Sequence, residues 1–138
     1  MPPVLDTKDI YSADRPNQLA PSVQGIKELV YVPNHSSNTL SIIDPATFKV
    51  IKTLKTLKGP QHVVPSWDLK TLWINNNQGN YVTPLDPRTG KMGKPIYTHD
   101  PYNLYFTPNG KDAEIGRAHV LNSSHANISY AVFCLKKK

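Results

Sequence analysis

Cysteine is almost missing from this sequence: there is a single one, Cys134, in 138 residues. The chain therefore cannot close an internal disulfide, and residues 1–113 hold no thiolate zinc site and no cysteine nucleophile. Long apolar runs are missing too. Nothing approaches the roughly 20 apolar residues of a membrane helix, so no membrane span is expected. The first residues, MPPVLDTKDIYSADRP, lack the basic start and apolar run of a signal peptide. There is no glycine-rich phosphate loop and no nucleophile elbow. Clustered basic charge is also scarce. Of the net charge of +6, Arg117, Lys136, Lys137 and Lys138 against Glu114 supply +3, and the other lysines and arginines are spread along residues 1–113. Nucleic-acid binders concentrate Lys and Arg, often between aromatics, so nucleic acid is not an expected partner.

What the sequence does have is a repeat. LVYVPNHSSNTLSIIDPATFKVIKTL is echoed by TLWINNNQGNYVTPLDPRTGKMGKPI. Tyr31-Val32 corresponds to Trp73-Ile74, and Asp44-Pro45 to Asp86-Pro87, both 42 positions on. A second block, GPQHVVPSWDLK, returns as DPYNLYFTPNGK 41 positions on, matching Pro60 with Pro101, Ser66 with Thr107 and Lys70 with Lys111. Two separate blocks at one period indicate a repeat architecture, and a period of about 40–50 residues suits a four-stranded propeller blade.

Local signals agree with that period. Leu29-Val30-Tyr31-Val32 is a β-branched and aromatic run ended by Pro33-Asn34. NTLSIID alternates, with Leu40 and Ile42 inward and Ser41 and Ile43 outward. Asp44-Pro45 and Asp86-Pro87 read as turns, because proline fixes φ and the aspartate can accept from the backbone ahead. KVIKTL is a further strand, Gly59-Pro60 a further turn, and HVVPS a strand closed by WDLK. No part of residues 27–113 has helical periodicity. The expected fold is all-β: a fragment of a β-propeller of about two four-stranded antiparallel blades. It should appear as two sheets in series over about residues 27–111, with Tyr31 and Trp73 at equivalent strand positions.

These motifs resemble the YVTN repeat of bacterial extracytoplasmic propellers. YVPNHSSNTLSIIDPATF is similar to its opening strand, polar turn and strand ending in Ile-Asp, and PYNLYFTPNGK is similar to its next segment. PQHVVPSWDLK departs from the pattern, with Trp67-Asp68-Leu69 where Pro-Asp-Gly is usual. The resemblance covers about residues 27–113. It implies a propeller whose parent is periplasmic or extracellular. Sequence neighbours of the repeat include lactonases and haem-carrying nitrite-reductase-type propellers.

From Glu114 the repeat stops. EIGRAHVLNSSHANISYAVFCLKKK resembles a translated sequencing-library adapter: IGRAHV back-translates to ATC GGA AGA GCA CAC GTC, LNSSH to CTG AAC TCC AGT CAC, and the lysines to poly-A. The expected organisation is an N-terminal extension over 1–26, two blade repeats over 27–113 and a non-native tail over 114–138. On this reading His119, His125, Cys134 and the two Asn-x-Ser sequons carry no function.

Three histidines remain. His35 lies in the polar turn NHSSN and reads as solvated. His99-Asp100 are adjacent in a loop, a poor geometry for a dyad. His62 starts the strand that aligns with the innermost strand of a blade, where propellers line their channel. Asn103 is the matching position one repeat on. His62 and Asn103 are therefore the ligand-binding candidates, and a packed, hydrogen-bonded histidine is the competing reading of His62. No catalytic residue, metal ligand set or cofactor is expected. The functional expectation is a scaffold that binds an unknown ligand or protein partner without catalysis. The alternative is a propeller enzyme, lactonase-like or of the haem nitrite-reductase type, whose active-site ring lies mostly on other blades.

Overall fold

The fold comes from a computed structural model that describes residues 8–9, 19–107 and 109–117. Among the described residues a 3-10 turn, Pro21–Val23, precedes nine strands: β1 Val30–Asn34, β2 Thr39–Asp44, β3 Lys49–Lys55, β4 Pro60–Pro65, β5 Leu72–Asn76, β6 Tyr81–Leu85, β7 Ile96–Tyr97, β8 Pro101–Phe106 and β9 Ala113–Arg117. There is no α-helix among the described residues. All pairing is antiparallel between sequence neighbours, in three sheets ordered β1-β2-β3, β4-β5-β6-β7 and β8-β9.

Two blade lengths of chain are thus spread over three sheets, not two in series. The strand that follows Gly59 or Asp100, starting at Pro60 or Pro101, does not continue the sheet behind it. It pairs forward: β4 bonds to β5, and β8 to β9. Sheet boundaries therefore fall out of phase with the repeat. Among the described residues only the middle sheet has four strands, with β4 as its inner strand. β9 crosses the expected boundary at 113/114. The rest of the tail and most of the N-terminal extension lie outside the described residues.

The repeat holds at the level of register. Tyr31 pairs with Ile42, and Trp73 with Pro84, each partner 42 positions on. β4 and β8 both have six residues, and both shift register just after their leading proline, between Pro60/His62 and Pro101/Asn103. The outer strands differ. β3 has seven residues and β7 only two. Gly93 and Pro95 interrupt the second copy, and Pro95 has no N–H to give the ladder.

The core lies between sheets. Leu40, Ile74 and Leu85 are fully buried, flanked by Tyr31, Leu54, Val63, Leu72 and Met92, and so join the first sheet to the second. Val82, Leu104 and Phe106, with Val64, Trp67, Trp73 and Ile115, join the second to the third. Strand alternation sorts the side chains: Leu72 and Ile74 face one neighbour, Trp73 the other. The expected inward pair Leu40 and Ile42 is buried.

Candidate functional site

The inner strand of the middle sheet starts at a turn that needs a left-handed residue. Gly59 has φ +63° there, and Asp100, one repeat on, has φ +46°. Glycine adopts this conformation without cost, and aspartate tolerates it better than most residues. Each turn is clamped by an asparagine from the hairpin behind it. Asn38 Oδ1 accepts from Gly59 N at 2.8 Å, and Asn80 Oδ1 accepts from Asp100 N at 2.9 Å. Asn38 and Asn80 are themselves left-handed, at φ +55° and +60°. The tip of the middle blade is tied on both sides: Asn77 N donates to Gly59 O at 2.9 Å, and Asn77 Nδ2 donates to Asp100 Oδ1.

On this platform His62 is half-buried and directly opposite Asn75 in the ladder. Its Nδ1 lies 2.7 Å from the carbonyl oxygen of Tyr102, on the inner strand of the following sheet. A carbonyl only accepts, so Nδ1 carries the proton and neutral His62 has its lone pair on Nε2. The ring meets the Tyr102 ring edge-on, with centroids 5.2 Å apart. Asn75, fully buried, donates its Nδ2 to the same Tyr102 carbonyl at 3.0 Å. The partner orienting His62 is therefore a neutral carbonyl, where a proton-relay triad uses a carboxylate.

Asn103 is half-buried and stands opposite Gly116, as His62 stands opposite Asn75. The two candidates thus share one register position on successive inner strands. The contact that joins these strands runs from His62 to Tyr102, not to Asn103. A Cβ on Gly116 would sit 3.1 Å from Asn103 Cβ, a tight contact, so the two strands approach closely here. His35 and His99 are exposed. Among the described residues no group of three or more His, Cys, Asp or Glu is placed to hold a metal ion.

The turn aspartates form turns. Asp44 Oδ1 accepts from Ala46 N and Asp86 Oδ1 from Arg88 N, at 2.9 and 2.8 Å. Lys27 holds Asp44 below the usual carboxylate range, and the Thr89 hydroxyl does the same for Asp86. The unusual SWDLK segment makes the same turn as TPNGK. Ser66 Oγ donates to Asp68 Oδ1 and Thr107 Oγ1 to Asn109 Oδ1, each at 2.6 Å. Leu69, at φ +62°, takes the place of Gly110 at φ +69°.

Sequence reasoning singled out His62 but missed Asn75, the Tyr102 carbonyl and the asparagine clamps. A signal for the clamps existed. Asn34, Asn38, Asn76 and Asn80 recur at the 42-residue spacing. Asn34 donates to Ser41 Oγ at 2.8 Å, and Asn76 donates to Thr83 Oγ1 at 2.9 Å, so this asparagine ties two strands in both repeats. The Asn75 contact had no such signal, because Pro33 occupies the earlier copy.

Comparison with known proteins follows the same lines. The profile of the YNCE-like beta-propeller family matches residues 13–129, a span that runs past the expected 113/114 boundary. No curated protein matches. Among solved structures, hydrazine synthase from Kuenenia stuttgartiensis superposes with a TM-score of 0.58 at 22% identity, over 66% of this chain and 26% of that one. Dihydro-heme d1 dehydrogenase NirN in complex with DHE superposes with a TM-score of 0.54 at 18% identity, over 74% of this chain and 21% of that one. At such identities the likeness concerns the fold, and the chain spans about a quarter of the length of these structures.

Proposed function

The chain belongs to the YNCE-like beta-propeller family, and from that premise we propose that it is part of an extracytoplasmic propeller that binds a ligand or partner at the inner-strand end of its blades, without chemistry of its own. His62 and Asn103 are the binding residues in this reading, each presented by the start of an inner strand. The observation that supports it is the hydrogen bond from His62 Nδ1 to the Tyr102 carbonyl. That bond orients the ring and leaves Nε2 as an acceptor of fixed direction, the arrangement a recognition site needs. A neutral orienting partner suits hydrogen bonding to a ligand better than proton transfer. Hydrophobic packing between blades supplies the rigid frame.

The test uses the longest reading frame that contains residues 27–113, expressed with its natural leader. A thermal-shift screen of small polar metabolites should give a ligand that raises the melting temperature without being consumed. His62→Ala and Asn103→Ala should each weaken that ligand at least tenfold while leaving the unliganded melting temperature within a few degrees. Turnover of the ligand, or copurified haem or metal at stoichiometry, would replace this reading with the enzyme one. Recovery of the protein in the cytoplasmic fraction would remove the extracytoplasmic part.

A further inference from the structure

Taking the ligand-binding reading above as the premise, we infer that the group held beside His62 is a small cationic hydrogen-bond donor, a primary ammonium or a guanidinium, and that Asn75 is its second contact. His62 and Asn75 stand opposite each other in the β4–β5 ladder, so their side chains are neighbours on one face of the sheet.

Both side chains are turned by the same atom. A carbonyl oxygen offers two lone pairs. Those of Tyr102 meet His62 Nδ1 at 2.7 Å and Asn75 Nδ2 at 3.0 Å. With Nδ1 used as a donor, the neutral imidazole keeps a lone pair on Nε2. With Nδ2 on the carbonyl, the Asn75 amide is left with Oδ1, which is buried and has no hydrogen-bond partner. An unmet buried acceptor carries a desolvation cost that an incoming donor removes. Asn76, next along β5, leaves its Oδ1 in the same state. Among the described residues the buried donor without a partner is Trp73 Nε1, two positions farther from the inner end and packed on Val82, Leu104 and Phe106.

The inner end of the blade is therefore rich in acceptors. Negative charge lies there too. Asp100, two residues before Tyr102, accepts through Oδ1 from Asn77, two residues beyond Asn75. A carboxylate has room for further donors. Lys58, at the same turn, is exposed. Asn103 can turn either end of its amide to a ligand and so does not select. A carboxylate or phosphate ligand would meet lone pairs at His62 and Asn75. An ammonium meets them with N–H groups, and a charged donor makes the stronger bond. Asn75 Oδ1 is closed to solvent, so the group that reaches it is small and enters beside the half-buried His62.

The experiment uses the longest reading frame described above, in buffer alkaline enough to keep the imidazole neutral. The probes share one carbon chain: putrescine, its fully N-methylated dication, butane-1,4-diol and succinate, with agmatine as the guanidinium arm. Putrescine or agmatine should raise the melting temperature and bind about tenfold more tightly than the diol or the methylated dication, which has the charge but no N–H. Succinate should give no shift. His62→Ala and Asn75→Ala should each weaken the amine about tenfold. Since Asn75 is buried, a second reading uses the unaltered nitrogen-15-labelled protein: putrescine should move the Nε2 resonance of His62 and leave Nδ1 in place. Preference for succinate, with binding still lost in His62→Ala, would overturn the inference and keep the binding reading. Full amine affinity in Asn75→Ala, as expected if Oδ1 serves only an internal water, would overturn it. So would an unmoved Nε2 or silence from both amines. Consumption of a bound amine would instead overturn the non-catalytic reading and support the acceptor site.

Discussion

The two inner-strand starts, Gly59-Pro60-Gln61-His62 and Asp100-Pro101-Tyr102-Asn103, have the same backbone and different chemistry. Both begin with a left-handed residue clamped by an asparagine 20 or 21 positions earlier, and both bulge after the proline. One then presents an imidazole and the other an amide. The difference teaches that the repeat specifies turns, clamps and register, while the half-buried position it presents at the inner end differs between the copies. Shared features are the frame, and function has to be sought where the copies disagree.

The largest effect on this comparison is expected at the closing turns. Gly110 is left-handed, and a Cβ there would overlap the ring of Trp67 from the preceding blade's turn. Gly110→Ala combines conformational strain with overpacking and should cost about 2–4 kcal/mol, read as a fall in the denaturant midpoint. The same asparagine in two settings should separate next. Asn76 is fully buried, with its Nδ2 within hydrogen-bond reach of Ile74 O, Tyr81 O and Thr83 Oγ1, whereas Asn34 is half-buried. Asn76→Ala should cost about 2–3 kcal/mol and Asn34→Ala about 1 kcal/mol, and equal losses would show that burial does not govern this tie.

A stabilising change follows from the same turns. Leu69 occupies a conformation that Gly110 adopts without strain one repeat on. Leu69→Gly should raise stability by about 1 kcal/mol in thermal unfolding. The smallest effect is a dependence on acid. The Ser66 hydroxyl, with the Lys70 N–H, holds Asp68 below the usual carboxylate range. Its contribution is complete above the unfolded value of about 4 and fades as the pH falls through the lowered folded value. Asn109 builds the matching turn with a neutral amide. The amides of residues 66–71 should therefore exchange faster below pH 4 while those of 109–112 do not, and Asp68→Asn should abolish the contrast.

Much of the frame was legible in the sequence. The 42-residue spacing fixed the equivalence of Tyr31 and Trp73, and Asp-Pro dipeptides marked turns that form as expected. The sheet boundaries were not legible, because strand order in sequence does not tell whether a strand pairs backward or forward. SWDLK hid its likeness to TPNGK, because Leu69 does a glycine's work under strain. The surroundings of His62 depended on a main-chain carbonyl, which no side-chain pattern encodes.

The next blade grips His62 through its Nδ1. Long-range proton–nitrogen correlation on the nitrogen-15-labelled full chain, above the pH where the ring is charged, reads its tautomer directly. The predicted spectrum shows Nδ1 protonated and Nε2 bare, with the pattern lost when the inner strand is removed by truncation before Pro101. A ring protonated on Nε2, or one averaging between tautomers, would mean that the Tyr102 carbonyl does not hold it.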